Sequence, residues 1–133
     1  MAQVQLDGTV TVGPVTSGST SFPGAINTVS FSTTPTPKAA QVYSSEVRQV
    51  SSPSAYAVLS GVGASDNVTK ANFLYLKTNA PVLLRTTMVA TSPLVAVEWV
   101  QGVLIKEYPD GHELYLLEVQ GTGTVEYFVS GNQ

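Results

Sequence analysis

His112 is the one histidine of a 133-residue chain that has no cysteine. A zinc centre takes three or four ligands, usually His or Cys, so these residues cannot build one. Glu107, Asp110 and Glu113 lie close to His112 in sequence and carry the oxygen donors that calcium accepts. Asp110, however, belongs to Pro109-Asp-Gly111, a turn sequence in which Asp is favoured for its local hydrogen bonds. A solvated turn is therefore the expectation. A serine nucleophile would need His112 as its base, and no Gly-x-Ser-x-Gly elbow is present. A glycosidase-type acid and base would have to come from the nine acidic residues. Strand alternation aims Glu118 with Leu114 and Leu116, and Glu126 with Thr124 and Phe128, but no spacing pairs them. Arg85 sits among apolar residues and either faces outward, the favoured reading, or needs Glu98, Glu118 or Glu126 as partner. No catalytic residue, metal ligand or cofactor is expected, and the chain is not read as an enzyme. Contact chemistry remains. Trp99, Tyr108, Tyr115 and Tyr127 would make either a sugar platform or core and interface packing.

The elements that must position these groups lie mostly between Asn72 and Gly131. Residues 72–78, 82–89, 94–101, 103–108, 113–119 and 124–130 are short runs rich in β-branched and aromatic residues, bounded by Gly, Pro, Asn or Asp. That is the pattern of strands joined by tight turns. In 72–78, Phe73 and Tyr75 alternate with Leu74 and Leu76, so both faces are apolar. One face is expected to meet the core and the other a neighbour. Asn79-Ala-Pro81, Pro109-Asp-Gly111 and Gly121-Thr-Gly123 read as turns, and Gln101-Gly102 as a turn or a bulge.

Upstream, Asp7-Gly8 between Val4–Leu6 and Thr9–Val12 predicts a hairpin. Gly13–Ala40 carries Gly13-Pro14, Phe22-Pro-Gly24 and Thr34-Pro-Thr-Pro37 among Ser and Thr. Proline blocks central-strand pairing, so only Ile26–Ser32 reads as a strand there. The stretch is either a long surface loop or an arm that wraps a neighbouring subunit. Residues 41–43, 47–50 and 55–59 read as further strands, and Gly61–Asn67 as a flexible connection. Asn67-Val-Thr69 matches a glycosylation acceptor and is read as chance. No 3.6-residue period appears. The fold expectation is all-β: one domain over residues 1–133, an antiparallel β-sandwich or jelly-roll of roughly eight to ten short strands, with 13–40 as the extended arm or loop and 72–131 as core strands.

Charged residues make up 11% of the chain, against a usual value of about 25%, and hydroxyl residues fill the gap. Such a surface suits a protein packed against copies of itself. The net charge of −3 and the lack of a basic stripe argue against nucleic acid. No apolar run has the length of a membrane span. The first residues lack the basic and apolar regions of a secretion signal. The expectation is a chain made in the cytoplasm that, if it leaves, does so by assembly or lysis.

The cadence of 72–78, Ala80–Arg85, Gly102–Ile105, Leu114–Val119 and Gly121–Gly131 resembles small β-structural proteins of tailed-phage virions, including capsid decoration (cement) and minor tail or fibre proteins. The resemblance covers about half the chain and rests on strand and turn pattern. It implies a β-sandwich or jelly-roll that forms a symmetric homo-oligomer, a trimer favoured, on a shell of major capsid protein, with terminal segments bridging subunits. The expected function is a non-enzymatic virion structural protein, most specifically a decoration protein that stabilises the head. A tail or fibre component, or a carbohydrate-binding module with a glycan ligand, is the alternative. Phe22, Phe31, Phe73, Tyr75, Trp99 and Tyr115 are the candidate interface residues.

Overall fold

The fold is that of a computed structural model, which describes residues 6–12, 16–17, 20–21, 27–33, 41–63 and 66–132. Among the described residues eight strands follow in order: β1 (Leu6–Val12), β2 (Thr16–Ser17), β3 (Thr20–Ser21), β4 (Asn27–Thr33), β5 (Gln41–Val58), β6 (Lys70–Met88), β7 (Leu94–Glu107) and β8 (Leu114–Asn132). No helix occurs among the described residues. The last four strands form one antiparallel sheet in the order β5-β8-β6-β7, with β5 and β7 as its edges.

These four strands are long because most of the expected turns are not chain reversals. Residues 72–78 and 82–89 merge into β6, with Asn79-Ala-Pro81 as a bulge that stands opposite Gln101 alone. Residues 94–101 and 103–108 merge into β7 through Gly102, whose φ is 88°. Residues 113–119 and 124–130 merge into β8 through Gly121-Thr-Gly123. The three runs between 41 and 59 merge into β5, where Pro53–Tyr56 bulge opposite Gln120. A bulge and a turn draw on the same residues. Proline lacks an N–H for the ladder and glycine accepts positive φ, so both mark the point where regular pairing lapses. The Pro109-Asp-Gly111 turn forms as expected, closed by His112 N–H donating to Pro109 O at 3.0 Å, with Gly111 at φ 86°.

The lapses line up across the sheet as a crease. Pairing of β6 with β8 stops after Thr78↔Val125 and resumes at Leu83↔Gln120. In the gap the Asn79 side-chain oxygen accepts Thr124 N–H at 2.8 Å, replacing a ladder bond. The crease is deep. Lys106 Nζ lies 2.8 Å from Glu98 Oε1, eight residues away on the same strand. A straight strand would hold their Cα atoms about 26 Å apart, so β7 bends sharply between them. Leu114 pairs with both Ala71 and Met88, near the two ends of β6, which a straight strand would hold about 56 Å apart. The sheet is bent until its ends meet, and the core lies inside the bend.

Cross-strand register sets what points inward. Leu74, Leu76, Val82 and Leu84 of β6 share the inner face with Leu117, Val119, Val125, Tyr127 and Val129 of β8, all fully or almost fully buried. The segment between β5 and β6 joins them. Gly61–Asn67 within it reads from sequence as flexible, yet Val62 is buried in the same cluster, beside Leu59 and Val68, and bridges Val68.

The N-terminal region differs from expectation in two respects. β1 runs straight through Asp7-Gly8, which pair with Ser32 and Phe31 of β4, so Asp-Gly makes no hairpin turn. Val4 and Gln5 lie outside the described residues. Of the expected strand Ile26–Ser32, residues 27–32 lie in β4, and Ile26 lies outside the described residues. The stretch 13–40 also holds the β2–β3 pair, in a part expected to be a loop or an arm without strands.

Candidate interaction surface

The outer face of the creased sheet carries the groups available for contact. On β6 and β8 that face is largely closed by its own side chains. Arg85 and Glu118, direct cross-strand partners, form a two-pronged ion pair, Nε to Oε1 at 2.9 Å and Nη2 to Oε2 at 2.6 Å. Arg85 therefore faces outward and also has a carboxylate partner. The hydrogen bond to Glu118 is the main cause holding its guanidinium above the ordinary value. The Tyr56 ring, in the β5 bulge, lies over the guanidinium at 3.8 Å, a cation–π contact. Near the other end of the sheet, Phe128 stacks on Tyr43 at 5.8 Å and meets Phe73 edge-on at 6.2 Å. Beside Phe128 lies a shallow hollow of about 410 Å³, lined by Ser45, Glu46, Val47, Tyr75, Glu126 and Tyr127.

The two edges are different. The exposed large apolar side chains of the described residues are Tyr43, Val47 and Val58 on β5, and Leu94, Val95, Val97, Trp99 and Val103 on β7. The central strands contribute none of them. Val95, Val97, Trp99 and Val103 lie on alternate positions of β7, all on its outer face, and Trp99 is 73% exposed. Edge strands are normally guarded by charge, proline or a bulge. β5 has Pro53, its bulge, and Arg48 reaching along the strand to Val58 O. From Leu94 to Gln101, β7 has one charge, Glu98, which is turned to the inner face and held by Lys106.

Of the residues marked as interface candidates, Trp99 stands on this surface. Tyr75 and Tyr115 are half-buried, and Phe73 is 1% exposed, so it offers no free area in the single chain. The Phe31 backbone pairs with Gly8 in the β1–β4 ribbon, and Phe22 lies outside the described residues. The four aromatics considered as a sugar platform are not brought together. Tyr108 and Tyr127 are interior. Tyr127 donates its hydroxyl toward Glu46 and Ser60 O. Alternation predicted Glu118 on the side of Leu114 and Leu116. Leu114 is instead fully buried, because the register shifts between Thr87 and Met88.

Among the described residues no three His, Asp or Glu side chains are close enough to hold a metal. His112 is exposed, with Nδ1 3.1 Å from Val89 O. Asp110 accepts from Asn72 Nδ2 at 3.4 Å, and Glu113 is buried. The sequence could have revealed the β7 stripe, since Val95, Val97 and Trp99 alternate with Ala96 and Glu98. The signal that one face stays uncovered was hidden by the position of β7 in the strand order. Comparison with known proteins finds no matching family, no matching curated protein and no matching solved structure.

Proposed function

We propose that this chain is a non-enzymatic structural protein that works by assembly, and specifically a decoration (cement) protein of a tailed-phage head. The observation that carries the assembly reading is that, among the described residues, the exposed large apolar side chains are confined to the two sheet edges. A contiguous apolar patch on a soluble surface marks an interaction site, and an unguarded edge adds free backbone donors and acceptors. The step from assembly to a phage head rests on the resemblance of strand and turn cadence over the C-terminal half. In this reading the creased sheet is a β-sandwich of the jelly-roll kind, in which each long strand serves both layers. The low charge keeps the desolvation cost of contact small. The protein binds as a symmetric homo-oligomer to the major capsid protein, and its place of action is the virion.

The test is binding of the purified chain to empty phage head shells, followed by sedimentation and cryo-electron microscopy. Regular density on the shell is expected. Deletion of Gly13–Ala40 removes β2, β3 and β4 but no strand of the four-stranded sheet. It is expected to preserve the β-sheet circular dichroism signal and to weaken shell binding at least tenfold. A truncated chain that fails to fold would remove the arm from the proposal.

The exposure of Trp99 favours one second reading, a glycan-binding tail or fibre module. An indole at this exposure can stack on a sugar ring. A glycan array probed with wild type and Trp99→Ala decides it. Binding lost in the variant would establish the module, and no binding by wild type would dismiss it.

A further inference from the structure

We infer that β7 pairs with β7 of a second copy of this chain, antiparallel, about a two-fold axis at Val97. The inference deepens the assembly reading and rests on it only for the premise that the exposed edge becomes covered.

The sequence of the edge selects this occupant. In an antiparallel pair centred on Val97, each residue meets the one equally far on the other side of the axis. Val97 then meets its own copy, Val95 meets the partner's Trp99, and Trp99 meets the partner's Val95. All three outer-face pairs are apolar, and each of these side chains is more than half exposed in the single chain. On the inner face Leu94 meets the partner's Val100, and Ala96 meets the partner's Glu98. Glu98 brings no uncompensated charge, because Lys106 of its own chain holds it at 2.8 Å. No like charges face each other across the seam. Pro93, which has no N–H, closes the ladder beyond Leu94. A two-fold contact of this kind is self-complementary and closes after two subunits, so it does not propagate into a fibre.

The other edge fits less well. A ring in which β5 of one copy meets β7 of the next would have to accommodate the Pro53–Tyr56 bulge and Arg48. The area also sets the strength of the seam. Covering Leu94, Val95, Val97 and Trp99 removes on the order of 400 Å² per chain, about half of the ~800 Å² per partner in a standard interface. Backbone hydrogen bonds of the joined edges supply the remainder, and a concentration-dependent dimer is expected.

The chain has no native cysteine, so one introduced thiol reports the axis directly. Antiparallel partners stand roughly 4.5 or 5.5 Å apart at Cα, within the roughly 4.4–6.8 Å that a disulfide spans. Under mild oxidation the full-length Val97→Cys variant is expected to form a disulfide dimer in most of the chain, whereas Val58→Cys, on the β5 edge, stays largely unlinked. Val97→Lys places two like charges on the axis at an exposed position. It is expected to weaken dimerisation at least tenfold by light scattering, with an unchanged melting temperature. Equal linking at both positions, no linking at Val97→Cys, or an unchanged mass for Val97→Lys would each overturn the pairing. So would a trimer in which the Val58→Cys/Val97→Cys double variant links one position to the other. Wild-type binding to shells without the Val97→Cys link defeats this inference alone. A linked dimer that ignores shells defeats the decoration reading alone.

Discussion

Alanine at position 131 is expected to prevent the four-stranded sheet from closing. A Cβ on Gly131 would collide with Lys70 O and lie 2.6 Å from Ala71 Cα. Both obstacles are backbone atoms of the neighbouring strand, so no rotamer change relieves them. Gly131 pairs with Val42 on one side and Ala71 on the other, and Ala71 also pairs with Leu114. The glycine therefore sits where the ends of the bent sheet meet. Adding a methyl to a packed core costs about 1–3 kcal/mol when side chains can yield. Here strands must separate, so the expected loss exceeds about 3 kcal/mol, a large part of the roughly 5–15 kcal/mol of a typical domain. Urea unfolding of Gly131→Ala checks it, with insolubility an equivalent outcome. Gly111→Ala is the control. Its Cβ meets nothing within 4 Å, and only its φ of 86° opposes the substitution, worth about 1–2 kcal/mol. If Gly131→Ala were no worse than Gly111→Ala, the close approach of β8 to β6 would be refuted.

Raising the pH is expected to unfold the protein through two buried tyrosines. Burial pushes Tyr108 up to about 12, the Glu98 charge adds to that, and the Thr86 hydroxyl opposes it. Tyr127 is raised as well, first by burial and then by its hydrogen bond to Glu46. Below about pH 10 both tyrosines are neutral in the folded and unfolded chains, so they impose no pH dependence. Between about pH 10 and 12 the unfolded chain releases a proton that the folded chain retains. The unfolded state then binds fewer protons, and stability falls with rising pH. For Tyr108 the fall approaches roughly 2.7 kcal/mol by about pH 12, at about 1.36 kcal/mol per pH unit of displacement. Tyr127 adds a loss of the same sign. Urea melts between about pH 8 and 11.5 should show a plateau and then a steep decline. Tyr108→Phe should flatten that decline. An equally steep decline in the variant would mean that Tyr108 titrates as an exposed phenol.

The β class was legible because the relevant signal is local. Val, Ile, Thr, Tyr and Phe at alternating positions suit a pleated, half-buried surface wherever the strand ends up. The same alternation placed Leu74 and Leu76 on one face and Phe73 and Tyr75 on the other. The Pro109–His112 turn was readable for a related reason, since proline fixes φ and glycine accepts the positive φ that the turn requires. That the chain cannot build a multi-histidine or cysteine zinc site followed from residue counts alone, since it has one histidine and no cysteine.

Tertiary structure decided the rest. Asn79-Ala-Pro81, Gln101-Gly102 and Gly121-Thr-Gly123 announce a departure from regular pairing. Whether the chain then reverses or continues depends on the strand across from it, which lies tens of residues away in sequence. Thr124 accepts the crease only because Asn79 reaches it, and Asn79 is placed by β6. The same dependence explains Trp99 and Phe73. Both are aromatic and both face outward on their strands, yet β7 is an edge and β6 is enclosed between β7 and β8. Burial is set by neighbours in space, and strand order is invisible to a pattern of period two. By itself, then, the sequence determined the β class and the alternating faces, because both depend on local propensity. The crease, the strand order and the uncovered β7 edge came from pairings between distant segments, whose register only the folded chain can set.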